Sequence, residues 1–176
     1  MKTKFVLILT ALLGMGTALI GQDVSYNFDQ GTDFSKFKSY KWVDIKGSTH
    51  PHPIVDKQIR ASIDSQLALK GLSKTDADTA SLYVGYQVAV NQEKQVNAYN
   101  TGGMGWRMGG GMATATTSTI NIGTLVLDMY EASAKQLVWR GTATKAIDAT
   151  AKPDKRQQNI DKGAEKLLKN YPPKKK

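Results

Sequence analysis

Two histidines separated by one proline are the first residues of this chain whose type and spacing could hold a metal ion. His50 and His52 lie in a proline-rich segment, and Asp44 or Asp56 would have to supply a third ligand because the chain contains no cysteine. Imidazole is the commonest protein ligand of transition metals, but two imidazoles do not complete a zinc site. We therefore predict an exposed loop at these histidines, with no metal and no cofactor.

Asp76 and Asp78 are closely spaced carboxylates of the kind that glycosidases use for acid and base catalysis. Both precede a predicted strand, in a polar loop where solvated turn residues are commoner than catalytic acids. The chain has no G-x-S-x-G or H-E-x-x-H motif, and no histidine stands near an obvious Ser–Asp pair. We predict a protein that is not an enzyme. The alternative is a small envelope hydrolase that acts on a polysaccharide or peptidoglycan component through loop Asp residues.

A segment rich in Gly, Met and Thr, residues 97–118, predicts a long mobile loop. Its glycine run is not a phosphate-binding loop, because no Gly-Lys-Ser/Thr follows and Met108 stands where the dinucleotide fingerprint needs glycine. A plain flexible loop is the simplest interpretation. The functional alternative is that Trp106 and its neighbour Arg107 contact a partner or a lipid surface.

The positive charge of the chain is concentrated near its end. The net charge is +9, and residues 152–176 alone carry nine basic and three acidic side chains. A predicted helix over 153–170 places Lys162, Lys166 and Lys169 opposite its apolar side. A solvated helix face is the plain interpretation, and contact with an anionic lipid surface or an acidic polymer is the functional one. No nucleic-acid-reading motif is present, so we predict no nucleic-acid partner.

The first residues have the pattern of a secretory signal peptide. Lys2 and Lys4 precede sixteen uncharged residues, 5–20, which would span only about 24 Å as a helix and fall short of the ~30 Å hydrocarbon core. We predict a signal peptide over 1–21, a single domain over 22–173 and a basic tail over 174–176, with a retained anchor as the alternative. Without cysteine there is no lipid attachment site, so we expect an exported periplasmic or envelope protein with no transmembrane helix in its mature part.

Hydrophobic periodicity predicts the order strand, strand, helix, strand, strand, strand, helix. The predicted strands are 24–28, 39–43, 81–91, 120–130 and 136–147, and the predicted helices are 53–70 and 153–170. Each helix has one apolar stripe and the later strands alternate. The predicted fold is therefore α+β, a two-layer sandwich of a mostly antiparallel sheet with two helices packed on one face.

Two details of this fold bear on function. Asp56, Arg60 and Asp64 are spaced four residues apart on the first helix, and we expect solvated ion pairs there. The last two strands should form a hairpin in simple register, with Leu127 opposite Trp139 and both in the core together with Leu125, Met129 and Leu137. The same register places Asp128 diagonal to Arg140, as a cross-strand ion pair.

Several sequence pieces together resemble a known family, the bacterial domain of unknown function 4136. They are Asp33-Phe34-Ser35, Tyr40-Lys41-Trp42, Leu69-Lys70-Gly71-Leu72, Tyr83-Val84, the glycine-rich loop, the segments GTLVLD (123–128) and VWRG (138–141), and a terminal Leu-Leu-Lys-Asn-Tyr-Pro-Pro (167–173). The resemblance covers essentially the whole chain after the signal pattern. It implies a bacterial cell-envelope protein, often a lipoprotein, with no assigned reaction. Our own expectation is a binding or accessory module that contacts an unknown envelope component. The missing lipid-accepting cysteine departs from that pattern, as does Ala80-Ser81 where an acidic residue is expected.

Overall fold

Residues 23–99 and 114–174 are described by the computed structural model, which contains strands and two helices. The strands are β1 (Asp23–Phe28), β2 (Ser39–Trp42), β3 (Ser73–Lys74), β4 (Leu82–Tyr99), β5 (Thr114–Glu131) and β6 (Gln136–Ile147). The helices are α1 (Pro53–Leu69) and α2 (Pro153–Leu168), and a short 3-10 helix covers Phe34–Lys36.

These strands form one six-stranded sheet in the order β1-β6-β5-β4-β2-β3. The neighbouring strands β1, β6, β5 and β4 pair antiparallel, whereas β2 pairs parallel with both β4 and β3. Parallel pairing requires a crossover connection, and α1 supplies it between β2 and β4. The α+β class, the mostly antiparallel sheet and the two helices on one face are confirmed. The parallel edge and the two-residue β3 were not predicted.

Both ends of α1 follow from local sequence. Pro53 occupies the first turn, where its missing N–H is not needed. Gly71 has φ +83°, and Leu72 N–H donates to the Leu67 carbonyl at 3.0 Å. Such a left-handed glycine ends the helix without strain and lets Leu72 fold back into the core. The predicted stripe along α1 faces the interior, with Ile63 and Leu67 fully buried.

The core lies between the two helices and the inner face of the sheet. Its largest fully buried apolar side chains are Trp139, Tyr40, Tyr86, Ile63, Leu67, Leu82, Leu127, Met129, Leu167 and Leu168. Tyr171, just after α2, packs edge-on against Trp139 with ring centroids 5.6 Å apart. The predicted apolar side of α2 is therefore confirmed as the side that closes the core.

The predicted register of the last hairpin is wrong for two reasons: Glu131, not Tyr130, pairs with Gln136 at the turn, and β6 contains an irregularity opposite Met129 and Tyr130. Met129 pairs with Trp139 and Tyr130 with Leu137, which leaves Val138 as an extra residue. This bulge buries both Val138 and Trp139 and turns Leu137 outward, where it is 41% exposed. Leu137 is therefore not a core residue.

The central hairpin is longer than the sequence pattern indicates. β4 continues to Tyr99 and β5 begins at Thr114, so residues 97–99 and 114–118, expected within a mobile loop, are paired strand. The candidate contact residues Trp106 and Arg107 lie outside the described residues, as do the predicted signal peptide and the last two residues of the tail. In the described part of the chain, neither helix is long and apolar enough to cross a membrane.

Candidate functional site

An apolar groove lies between the two helices and strands β4, β5 and β6. It encloses a volume of about 430 Å³, within the range of small-molecule sites. Its walls are formed chiefly by Val55, Ile59, Val88, Leu125, Ile147 and Ile160. A concave apolar surface of this size, bordered by a few polar groups, is suited to binding an apolar ligand group.

The two helices run side by side in the same direction and border the groove with their N-terminal halves. Ser62 Oγ donates to Asp161 at 2.6 Å, and further along Lys70 Nζ donates to the Lys169 carbonyl at 3.2 Å. The C-terminal halves close over the core, where Leu67 of α1 is fully buried. The sheet continues beyond the N-terminal ends of the helices, which leaves apolar strand residues uncovered there.

The floor of the groove is set by the strand register. Val90 of β4, Gly123 of β5 and Lys145 of β6 lie in one row across the sheet. The Ile147 side chain packs over Gly123, where a Cβ atom would lie 2.5 Å from Ile147 Cδ1. Val90 is 61% and Ile147 44% exposed. Large apolar side chains with that exposure, beside a pocket, form surface that a ligand would cover.

Two basic side chains border this apolar surface. Lys145 Nζ donates to Asn159 Oδ1 at 2.9 Å, and Arg156 donates to the Ala151 carbonyl at 3.3 Å. Burial, and then the positive charges of neighbouring lysines on α2, lower the pKa of Lys145. Within the two described ranges, neither Lys145 nor Arg156 forms an ion pair.

The structure connects part of the predicted basic surface with the groove. Lys162, Lys166 and Lys169 are exposed on α2 as expected. Lys162 and Lys166 are near enough to Lys145 to lower its pKa. Lys145 was missed by the sequence analysis, although a signal was present: it stands at an inward position of β6, in the same alternation as Trp139 and Ala143.

The polar side of α1 packs against the sheet, and the side chains of Asp56, Arg60 and Asp64 are only 25–27% exposed. The expected Asp56–Arg60 pair is present, but it is partly buried and not on an open helix face. The Arg60 guanidinium lies 4.9 Å from the Trp42 ring and 5.5 Å from the Tyr86 ring. It donates to both Asp56 oxygens at 3.2 Å, and Tyr86 hydroxyl also donates to Asp56. Burial opposes ionisation of Asp56, but these hydrogen bonds outweigh it and lower its pKa.

Asp64 completes this polar contact between α1 and the sheet. Tyr40 hydroxyl and Trp42 Nε1 each donate to Asp64 Oδ1 at 2.7 Å, and Lys74 Nζ donates to Oδ2 at 3.0 Å. One carboxylate therefore satisfies two aromatic donors on β2 and a lysine on β3. Its role is to orient α1 on the parallel edge of the sheet.

Ser48, His50 and Asp56 come together in space, although the sequence shows no obvious arrangement of this kind. Ser48 Oγ lies 2.9 Å from His50 Nε2, and His50 Nδ1 lies 3.6 Å from Asp56 Oδ1. The second distance exceeds a hydrogen bond, and Asp56 is already engaged by Tyr86 and Arg60. The contacts of Asp56 thus favour a structural role over orientation of a catalytic imidazole.

The two histidines have separate surroundings. His52 is the N-cap of α1, and its Nδ1 accepts from Ile54 N–H at 3.4 Å. His50 is half-buried with its ring edge-on to Tyr86, so the predicted exposed loop is wrong for this residue. Over residues 23–99 and 114–174, no three His, Cys, Asp or Glu side chains converge on a point where a metal could bind.

The carboxylates considered for hydrolysis lie on the surface. Asp78 is 92% exposed and accepts from Lys41 Nζ at 2.7 Å. The hydrogen bond from Lys41 lowers the pKa of Asp78, which is the wrong direction for a general acid. Asp76 and Asp78 precede the first residue of β4, and the last residue of that 18-residue strand, Tyr99, is about 60 Å from its start at ~3.3 Å per residue.

The outer face of the sheet carries the predicted cross-strand ion pair. Arg140 lies directly opposite Asp128, not diagonal to it, because the turn and the bulge each shift the pairing by one residue. Its guanidinium donates to the two Asp128 oxygens at 2.6 and 2.7 Å. The Asp128 side chain is 1% exposed and that of Arg140 is 47% exposed. A buried carboxylate is therefore paired with a guanidinium group that still contacts solvent.

A family model for the domain of unknown function DUF4136 matches residues 24–173 of the chain. The chain belongs to the DUF4136 family. This confirms the family inferred from the sequence pieces, and the family carries no assigned reaction. No curated protein matches the chain.

Two solved structures have a fold similar to that of this DUF4136 protein. A PelC variant dodecamer from Paraburkholderia phytofirmans has a TM-score of 0.51 at 10% identity, covering 84% of this chain and 95% of that one. A PDZ domain protein from Parabacteroides distasonis has a TM-score of 0.57 at 12% identity, covering 88% of this chain but 37% of that one. At these identities the likeness concerns the fold.

Proposed function

We propose that this DUF4136 protein is an exported, non-catalytic protein of the bacterial cell envelope that binds an apolar group of an envelope component. The observation that carries the proposal is the groove of about 430 Å³ between the helices and the sheet. Val90 and Ile147 expose apolar surface in this groove, and removing that surface from water on ligand binding is favourable. The groove is the binding site of the proposed module.

The proposal of export rests on the first 21 residues. Their two lysines followed by an uncharged run are typical of a signal peptide, and the family resemblance implies an envelope location. The extent of the domain, 22–173, stays a prediction, as does contact through Trp106 and Arg107. Lys162, Lys166 and Lys169 are kept as candidate contacts at the edge of the binding site.

A binding role fits the carboxylates better than hydrolysis does. Asp56, Asp64 and Asp128 are each held by donors from other elements of the fold. Asp78 is paired with Lys41 in a surface turn. These contacts support positioning and stabilising roles for the carboxylates.

Binding is tested with dodecan-1-ol, a neutral probe with one apolar chain, by isothermal titration calorimetry. The full chain is produced in bacteria and the protein is purified from the envelope or periplasmic fraction. Val90→Asp places a charge in the groove at a residue that is 61% exposed, so the fold should survive. We expect this change to weaken binding at least about tenfold, because a charge in an apolar site must be desolvated when the probe binds.

The matched control is Leu69→Asp, which adds the same charge at an apolar residue 77% exposed at the other end of α1. It should leave dodecan-1-ol binding unchanged. Absence of binding to the wild-type protein, or equal loss in both variants, contradicts the groove as the binding site.

Export is tested separately by fractionating cells that produce the full chain. We expect the protein in the periplasm or envelope, shortened by about the mass of residues 1–21, as measured by mass spectrometry. Lys2→Glu combined with Lys4→Glu should slow this processing, because the positive start of a signal peptide is lost. Unprocessed protein confined to the cytoplasm contradicts export and leaves the binding test unaffected.

A further inference from the structure

Lys145 places a positive charge in the wall of an otherwise apolar groove. Its ammonium group donates to the neutral side chain of Asn159, and no carboxylate in the described residues pairs with it. Burial and the nearby charges of α2 lower its pKa, which shows that the charged form is held at a cost. An anion bound at Lys145 would remove that cost.

Besides Lys145, the charged side chains that line the groove in the described residues are Arg156, which is also positive, and Asp148, which is acidic. Arg156 borders the groove, and its side chain donates to the Ala151 carbonyl. Asp148 also borders it, but its carboxylate accepts from the backbone N–H and hydroxyl of Thr150 at 2.9 and 2.6 Å. The three lysines that act on Lys145, namely Lys155, Lys162 and Lys166, add further positive charge. The groove therefore combines an apolar lining with a net positive rim.

We propose that the groove binds a single-chain anionic amphiphile, with its acyl chain against the apolar walls and its acid group paired with Lys145. The inference rests on the proposed function, which makes the groove the binding site, and it names the ligand class. The apolar lining is recessed between two helices and three strands, which suits one molecule taken out of a membrane better than a flat lipid surface.

Charge complementarity also argues against an occupant from the chain itself. Asp23, the first described residue of β1, pairs with Thr144, the residue before Lys145 on β6. The preceding segment, residues 1–22, contains no Asp or Glu, and neither does the glycine-rich segment 100–113. Neither can supply an acidic side chain to Lys145.

The test compares three probes with the same chain length: dodecanoate, dodecan-1-ol and dodecyltrimethylammonium. Each is titrated below its aggregation concentration into protein purified from the envelope or periplasmic fraction. We expect one dodecanoate per chain, bound about tenfold more tightly than dodecan-1-ol, because a hydrogen bond to a charged group is worth that much in affinity. The cationic probe should bind most weakly, since the lysines repel it.

Substitutions then locate the anion preference. Lys145→Met keeps the length of the side chain and should bring the affinity for dodecanoate down to that for dodecan-1-ol. Lys145→Arg should retain most of the preference. Lys46→Met, at an exposed lysine outside the groove, is the matched control and should leave both affinities unchanged. Circular dichroism checks that each variant is folded, and the wild-type comparison of the three probes stands even where a variant does not fold.

The outcomes separate the two proposals. The proposal of an anionic ligand is overturned if the wild-type protein binds dodecanoate and dodecan-1-ol equally well and Lys145→Met has no effect. The groove then stays an apolar binding site. Binding that occurs only to vesicles containing anionic phospholipid, and not to dodecanoate in solution, also overturns it. No binding of any of the three probes removes the groove site and the proposed function together.

Discussion

Gly141 is the position where one added methyl group should disturb the core most directly. A Cβ atom there would lie 2.3 Å from Cη2 of Trp139 and 2.8 Å from Cδ1 of Leu167. The Trp139 ring is 1% exposed and is held edge-on by Tyr171, so it has no open space to move into. Overpacking of this kind costs about 1 to 3 kcal/mol of stability.

Part of that cost is offset in the unfolded chain. Replacing glycine by alanine restricts the unfolded state and stabilises the fold by about 0.4 to 1 kcal/mol where the backbone permits it. We therefore expect Gly141→Ala to lower the free energy of unfolding by about 1 to 2 kcal/mol.

Gly123→Ala is the matched control on the neighbouring strand. Its Cβ would lie 2.5 Å from Cδ1 of Ile147, but Ile147 is 44% exposed and its side chain can rotate away. Since alanine restricts the unfolded chain here too, the free energy of unfolding should stay unchanged or rise by up to about 1 kcal/mol.

Both variants are measured by urea unfolding at pH 7, followed by far-ultraviolet circular dichroism. The dependence of the free energy on urea should keep its wild-type slope, since neither change alters the surface exposed on unfolding. Near-ultraviolet circular dichroism of Gly141→Ala should also differ from wild type, because Trp139 must shift. If Gly141→Ala is as stable as Gly123→Ala, the described packing around Trp139 is incorrect.

Three further predictions concern charged groups. Arg140→Met should lower the free energy of unfolding by about 2 to 3 kcal/mol in urea titrations, because the buried Asp128 carboxylate then lacks its guanidinium partner. The cost is smaller than for a fully buried ion pair, since Arg140 is half exposed. An unchanged midpoint would contradict this. Asp64→Leu should cost about 2 to 4 kcal/mol in the same assay, because Tyr40 and Trp42 lose their acceptor, and Asp64→Asn should recover part of it. The lowered pKa of Asp56 contributes stability that is present above the ordinary aspartate pKa of about 4 and is lost as the pH falls through the folded value. Thermal unfolding of Asp56→Asn should therefore depend less on pH below about pH 4 than wild type does, and parallel curves would refute it.

Most elements of this fold could be predicted because their signals are local. Alternation indicates β6, and a four-residue apolar repeat with Pro53 and Gly71 at its ends indicates α1. The two-residue β3 has no such signal, since so short a segment shows no period. The long continuation of β4 and β5 is polar and Thr-rich, so its pattern is closer to a loop than to a strand.

The errors on side chains have a common cause. The bulge at Val138 lets two consecutive residues, Val138 and Trp139, both be buried. Hairpin loop length alone does not predict such a bulge. Asp56 and Asp64 have the spacing of surface helix pairs, yet β2 and β4 place aromatic donors against them. Each outcome depends on neighbours that are distant in sequence.

By itself the sequence determined the class of the fold, the family, the helix ends and the inward stripes, because period and capping act within a few residues. Only the tertiary structure decided the candidate site. Lys145 is positioned by its hydrogen bond to Asn159 on α2. The groove lies where the N-terminal halves of the two helices meet the apolar strand residues beneath them. Such a surface is made by elements meeting in space, and its chemistry is set by which side chains remain uncovered and unpaired once the core has closed.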